Sequence, residues 1–419
     1  MEKITAVVLG YGNRGSIYSD YALTHPEQLQ IVAVADPLEN RRLSAKRSHR
    51  LEDHQLFESW EGIARQPKMA DIAIITTQDA MHCEQALAMI EKGYDLLLEK
   101  PMAITARDCK RICQAAQTAG VKVVVCHVLR FTGFWRRIKD LLDDGALGKV
   151  MSVIHMENVG NLHQSHSFVR GNWRRTEESA PMILAKCCHD MDMLQWLIGG
   201  KCTKIQSFGG LSWFTPENRP AGAPDRCTDG CPAAEECFYN AIKFYHENKK
   251  NFWRPTVANT VDWPTDEAVM EALKHGPYGR CVYSCDNDVV DHQVVNMSFE
   301  GGCTVSFTMN AFNQGGRFIR IFGTEGELEG RMDSEGIRLY SFRDKTWHVV
   351  PLEQKDESGH GGGDTGILEK ALPYFAGAAR DKGICDIDVS CESHLLAFAA
   401  EASRLENRVV DMKEFEEKL

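Results

Sequence analysis

The chain has no long hydrophobic run. No segment approaches the roughly 18 consecutive apolar residues of a membrane span, so no transmembrane helix is expected. No apolar stretch with a cleavage site, and no arginine pair, precedes the first strand-like segment, so the protein is expected in the cytoplasm. Positive charge is in deficit: 48 Lys and Arg stand against 59 Asp and Glu, a formal net charge of −11. A field of that sign repels phosphate backbones and anionic bilayers, which excludes nucleic acid and membrane as partners. Internal repeats and low-complexity tracts are also lacking. Disulfides are not expected in a chain without an export signal, so the 15 cysteines read as thiols, with a metal among some of them.

What remains is a globular composition, 43% hydrophobic and 26% charged, in a length of 419 residues that suits two domains. The first apolar, β-branched run, Ile4 to Leu9, ends in Gly10-Tyr11-Gly12-Asn13-Arg14-Gly15, and a helix is predicted from Ser16 to Leu23. Strand, glycine turn and helix in that order form a dinucleotide-binding fingerprint. Gly10 permits the turn, Gly12 admits the pyrophosphate, Gly15 lets helix and strand pack, and Asn13 and Arg14 are expected against the phosphates. A second strand, Gln30 to Ala35, ends at Asp36. The step from Gly15 to Asp36 is close to the roughly 20 residues expected before a ribose-binding acid. A carboxylate there accepts bonds from the adenosine ribose and repels a 2′-phosphate, which favours NAD over NADP. Arg41 and Arg42 follow and oppose that preference.

The alternation continues with strands at 71–76, 94–98 and 122–126 and helices at 82–92 and 106–119. Repeated β-α-β units imply a doubly wound parallel sheet, with ligands gathered at the carboxyl ends of its strands. Thr77, Gln78, Asp79, the tripeptide Glu99-Lys100-Pro101, and His127 all fall there. The fingerprint, Glu-Lys-Pro after Leu96-Leu97-Leu98, Thr77 with His82 five residues on, and Arg130-Phe131 followed by the stretch LLDDGALG at 141–148 together resemble the Gfo/Idh/MocA oxidoreductases. That family takes its name from glucose–fructose oxidoreductase, inositol dehydrogenase and rhizopine catabolism.

The resemblance implies an NAD-binding Rossmann domain at 1–127 and an α+β domain with a large, mainly antiparallel sheet at 128–419. It also implies that Thr77, Gln78, His82, Glu99 and His127 sit about the cofactor, with Lys100 beside the nicotinamide and the reacting hydroxyl. The family's helix-opening Asp-x-x-x-His falls on Ala185-Lys186-Cys187-Cys188-His189, so His189 matches the general base while Ala185 replaces the aspartate. On a continuous helix Lys186, His189 and Asp192 would adjoin, and the Lys186 ammonium would keep His189 neutral. The antiparallel sheet implies a homodimer or homotetramer.

Two segments are rich in groups that suit a polyhydroxylated, anionic sugar: 163–174, with His163, His166, Arg170, Trp173 and Arg174, and 360–364, with His360, three glycines and Asp364. Each reads either as substrate contacts or as a solvated loop. Cys227, Cys231 and Cys237 lie in a Pro/Gly-rich insertion at 214–263. They read either as structural zinc ligands, completed by Cys281, Cys285 or Cys202, or as buried free thiols.

The leading functional reading is a sugar dehydrogenase, with His189 as base and Lys100 steadying the alkoxide. The alternative is an NAD-dependent glycosidase that oxidises C3 transiently, eliminates the C1 substituent, adds water and restores the hydride. A non-enzymatic NAD sensor is a third reading, which the presence of both Lys100 and His189 opposes.

Overall fold

The computed structural model describes residues 2–352, 359–385 and 387–419. Six short, apolar segments form a parallel sheet: β1 (Ile4–Leu9), β2 (Leu29–Ala35), β3 (Leu56–Phe57), β4 (Ile72–Ile75), β5 (Asp95–Leu98) and β6 (Val123–Val125). Their order is β3-β2-β1-β4-β5-β6, so the chain reverses direction across the sheet between β1 and β4. β1 and β4 are buried along nearly their whole length because helices cover both faces, which is why their sequences are continuous apolar runs.

The second sheet has nine strands: β7 (Val150–Asn158), β8 (Cys202–Gly210), β9 (His292–Phe299), β10 (Thr304–Asn310), β11 (Gly316–Gly323), β12 (Gly326–Arg331), β13 (Gly336–Ser341), β14 (Thr346–Pro351) and β15 (Val410–Asp411). The order is β14-β13-β12-β11-β7-β10-β9-β8-β15, antiparallel except where β7 meets β10. Burial alternates along β9 and β10, so one face lies in the core and the other carries polar residues such as Asn296, Ser298 and Ser306. The helix Ile387–Glu406 packs between β8 and the helix Ala106–Ala119, joining the two sheets through one apolar core. Among the described residues no helix is long and apolar enough to cross a membrane.

Of two further features, the first was anticipated in part as the insertion at 214–263 and the second was not. The neighbouring strands β8 and β9 are connected by a long excursion, residues 211–291, whose apolar residues gather in two small clusters of their own. The helix Gly363–Phe375 returns to the N-terminal sheet, where Ile367, Leu368, Ala371 and Leu372 pack with Val8, Tyr18 and Val124. Gly363 serves that docking: a β-carbon there would lie 2.4 Å from the Val128 carbonyl oxygen. Its glycine is thus required by protein backbone rather than by a ligand.

At Gly15 a β-carbon would lie 2.0 Å from the Gly10 carbonyl oxygen, while at Gly93 nothing stands within 4 Å. Gly15→Ala should therefore cost about 3 kcal/mol or more of stability, by overpacking against backbone. Gly93→Ala, which meets only the penalty of its left-handed conformation, should cost about 1 kcal/mol. Urea midpoints of the two variants check the order, and equal midpoints would refute it.

Candidate active site between the two sheets

The site begins at the carboxyl end of β1. Gly10 takes φ +91 beneath the Thr76 carbonyl, and the helix Asn13–Thr24 starts at Gly12 without a side-chain cap. Its first amides are thereby left for an anion, with Asn13 exposed beside them. Asp36 is buried and accepts from the Tyr11 amide at 2.8 Å and the Leu38 amide at 2.9 Å, so it braces the glycine turn as well as closing β2. Arg41 lies 3.5 Å from Asp36, and its other nitrogen donates to Asn259 of the excursion at 2.8 Å. Arg42 is spent on the Asp36 and Pro37 carbonyls. This arrangement fits a dinucleotide, with Gly10, Gly12, Asn13, Gly15 and Asp36 as its contacts.

Arg14 departs from expectation. It does not wait for a phosphate: it is bound to Glu99 at 2.7 Å, to both oxygens of Asp364 at 2.9 and 2.7 Å, and to Tyr18. Glu99 in turn accepts from the Lys100 amide at 2.8 Å and from the Tyr18 hydroxyl at 2.8 Å. Burial alone would raise the Glu99 pKa, but the Arg14 and Lys100 charges hold it below the ordinary carboxylate range. Glu99 is therefore the anchor of Lys100 and not a ligand contact. His82 has a similar bracing part, between the Pro101 carbonyl at 2.7 Å and the Thr77 carbonyl at 3.2 Å, while the Thr77 hydroxyl donates to Gln85. Gln78 stays exposed at the end of β4.

Lys100 reaches across to the second domain, where its ammonium donates to the Ala185 carbonyl at 3.0 Å. His189 is next to it. The imidazole is buried, its Nδ1 has no partner among the described residues, and its pKa is held well below the ordinary imidazole range. Burial is the main cause, followed by the charges of Lys100 and Arg317. Lys186 is not among the leading causes. The helix predicted through 185–192 breaks at Lys186 and Cys187, between the short turn Met182–Ala185 and the helix Cys188–Ile198. Lys186 turns instead to Glu157 at 3.4 Å, and after burial it is the first charge depressing His163. Asp192 points away from any cleft, into a buried bidentate pair with Arg130 at 2.7 Å for both bonds.

Beneath the pair lies a charge network that sequence reasoning missed. Arg317 of β11 binds Glu157 at 2.7 Å and Asp190 at 2.8 Å, and Asp190 also receives His155 at 2.8 Å. Asp190, fully buried next to His189, fixes the start of that helix to the sheet. The signal in the sequence was an acidic residue inside a strand and an arginine at the start of another, which periodicity alone treats as solvent-facing.

The structure divides the substrate candidates. His163 stays near the site, as the effects of Lys186, Arg317 and Lys100 on it show, and the His360 ring lies 6.1 Å from that of His189. His360 pairs with Asp364 at 3.0 Å, so Asp364 is held by Arg14 and His360 rather than offered to a ligand. His166 is buried, stacked between Trp253 at 4.5 Å and Tyr278 at 4.7 Å, and bonded to the Tyr245 hydroxyl. Arg170 is buried among backbone carbonyls of the excursion, and Arg174 is paired with Asp286. Trp173 ties the second domain to Asp79 at 2.9 Å. These four residues, expected at a sugar, hold the excursion and the domain junction. His127 lies beside the pair, its ring 6.4 Å from His189; it is buried, its Nδ1 stands 3.7 Å from Asp192, and among the described residues neither nitrogen has a hydrogen-bond partner. Cys227, Cys231, Cys237 and Cys281 line one cavity, but no three of their sulfurs lie within 4.8 Å of one another, a wider spacing than a single tetrahedral zinc takes. Cys202 lies apart from that cavity, in β8.

The Rossmann end, with its own Lys100, faces a buried histidine of the second domain across a cleft. Residues 4–127 match the model described as oxidoreductase family, NAD-binding Rossmann fold, and residues 139–358 match the family's C-terminal alpha/beta domain. The chain belongs to the Gfo/Idh/MocA oxidoreductase family.

The putative oxidoreductase YteT of Bacillus subtilis is 26% identical over 317 residues, 71% of each chain. The 2,7-anhydro-N-acetylneuraminate hydratase of Mediterraneibacter gnavus is 26% identical over 50% of this chain and 53% of its own. The scyllo-inositol 2-dehydrogenase (NADP(+)) IolW of Bacillus subtilis is 27% identical over 43% of this chain and 47% of its own. The chain thus spans about half the length of the latter two. An oxidoreductase domain protein from Kribbella flavida shares the fold at a TM-score of 0.72 and 14% identity, covering 98% of this chain and all of that one.

Burial pushes His127 down to about 4. The unfolded chain takes up this proton near the ordinary value of about 6.5 while the folded protein resists it, so folding is favoured above that pH. Stability should fall as pH drops from about 6.5 toward about 4, with His127 alone contributing about 2 kcal/mol of loss by about pH 5. Urea unfolding of the wild type and of His127→Gln across this range checks it; an unchanged slope in the variant would count against this origin.

Proposed function

We propose that the protein is an NAD-dependent dehydrogenase of a sugar or sugar derivative, with His189 as general base and Lys100 as the cation at the reacting oxygen. One observation carries the reading: a buried neutral imidazole with a free Nδ1 lies beside an ammonium positioned from the other domain. NAD, when bound, supplies the hydride acceptor. His189 takes the hydroxyl proton, and the low-lying pKa keeps it ready to do so at neutral pH. Lys100, fixed through its own amide by Glu99 and through its ammonium by Ala185, stabilises the oxygen as negative charge builds on it. His163 and His360 supply polar contacts for the remaining hydroxyls. Asp36, at the end of β2, supports NAD over NADP.

A redox-neutral reading, in which the same residues serve a glycoside cleavage or hydration and the cofactor stays bound throughout, is favoured by one further contact. Asn259 of the excursion meets Asn40 and Arg41 beside Asp36, and Asp262 meets Arg47, so the adenosine end is bridged by a second element. The hydratase relative adds to this.

Protein purified without added cofactor and offered free sugars or aryl glycosides separates the two. NADH accumulating with a free sugar supports the dehydrogenase. Aryl release with only bound NAD and no net NADH supports the redox-neutral reaction. In either case His189→Ala should lower kcat by about 10²–10⁴-fold and leave NAD binding unchanged by fluorescence titration, and the acidic limb of kcat/KM should lie below about pH 6.5. Full activity of His189→Ala would sink both readings.

A further inference from the structure

Five cysteines lie in the excursion, and four of them converge. Arg226 and Arg280 form an isolated antiparallel bridge, flanked by bonds from the Cys227 amide to Gly279 at 2.9 Å and from the Cys281 amide to Asp225 at 2.8 Å. This short ladder brings Cys281 beside Cys227, from opposite ends of the excursion. Turns closed by bonds from Ala234 to Cys231 and from Cys237 to Ala233 wind the other two thiols onto the same space. Cys227, Cys231, Cys237 and Cys281 line one cavity, together with Tyr239 and Arg170. All four are free thiols, unpaired as disulfides. Cys285 is engaged elsewhere, donating to the Cys281 carbonyl.

Arg170 gives the cavity its meaning. It is 1% exposed, and its guanidinium donates to the Arg280 and Tyr239 carbonyls and, at 3.7 Å, to the Cys227 sulfur, with the neutral Tyr245 phenol also beside it. Its Nη1 is buried with no partner, and among the described residues no carboxylate pairs with it. A buried guanidinium without a counter-anion is costly, and natural proteins pair such a group. The neighbours able to supply negative charge are the thiols, and thiols become thiolates outright when a metal binds them.

The spacing then selects the kind of centre. Four sulfurs around one zinc, each at about 2.3 Å from the ion, would stand about 3.8 Å apart. Here no three lie within 4.8 Å of one another, yet all face the same space. A multi-iron cluster holds its four thiolates farther apart than a single zinc does, at the corners of a larger cage.

We propose that Cys227, Cys231, Cys237 and Cys281 hold an iron–sulfur cluster, with Arg170 as the buried cation that balances its negative charge. Its part is structural. Apart from Val289 and Val290 at its end, the excursion's buried apolar residues lie mostly in two small groups, and the cluster clamps its first third to its last. Arg170 ends the wide helical turn Gln164–Arg170 that begins just after His163, so the cluster also anchors the segment leading into the active site. Binding displaces four thiol protons to solvent and requires no electron transfer.

The test is analysis of the full chain, produced and purified without oxygen, for iron, acid-labile sulfide and zinc, with its visible absorption spectrum. Iron and sulfide in equal amounts, several of each per chain, with a brown chromophore, are expected. Cys237→Ser should lose most of the iron and the colour, Arg170→Met should lose a large part, and Cys202→Ser, outside the cavity, should keep both. One zinc per chain without sulfide would overturn the proposal, as would metal-free protein or iron that survives Cys237→Ser.

Discussion

The buried contact among Arg14, Glu99 and Asp364 is what the site depends on. It joins the first turn of the glycine helix to the end of β5 and to the start of the last-but-two helix, with Arg14 separated along the chain by 85 residues from Glu99 and by 350 residues from Asp364. Through Glu99 it fixes the backbone of Lys100; through Asp364 it orients His360. Burial opposes ionisation of Asp364, but His360 and Arg14 hold its pKa below the ordinary carboxylate range, so the three charges persist together. Removing one partner of such a group leaves the others buried and uncompensated, a cost of about 3–5 kcal/mol. Catalytic geometry and fold stability thus share the same few bonds.

Much of the N-terminal half was legible in the sequence because its signals are local. The glycine turn, the β-branched runs and Asp36 each declare their role within a short stretch of chain, and strand β1 and the helix Ala106–Ala119 fall where periodicity placed them. Lys100 and His189 were found through a family pattern, and the structure brings them together. The misreadings share one cause: a polar side chain in a sequence does not reveal whether its partner is a ligand or a distant residue. Arg14, Asp192, Arg170 and His166 all have the chemistry of ligand contacts, and all are consumed by groups far away in the chain. The helix break at Lys186 was invisible for a related reason, since Asp190 is pulled into the sheet by Arg317 and His155 against the run of helix-compatible residues.

The excursion between β8 and β9 leaves the sheet it departs from undisturbed. Both ends emerge from adjacent strands, so the sheet closes normally while the segment 211–291 folds outside it. Its aromatic residues stack on His166, its Asn259 meets Arg41 near the ribose acid, and its thiols collect around Arg170. One element therefore touches both Arg41 at the end of the first sheet and His166, three residues after His163.

The return of Gly363–Phe375 to the first sheet bears on how the protein is made. The Rossmann domain leaves the ribosome before the helix Gly363–Phe375, which completes the hydrophobic cluster about Val8 and Tyr18. At ordinary elongation speeds of about 5–20 residues per second, that cluster stays open for roughly ten seconds or more. During synthesis the nascent chain therefore presents an incomplete Rossmann core until that helix has docked.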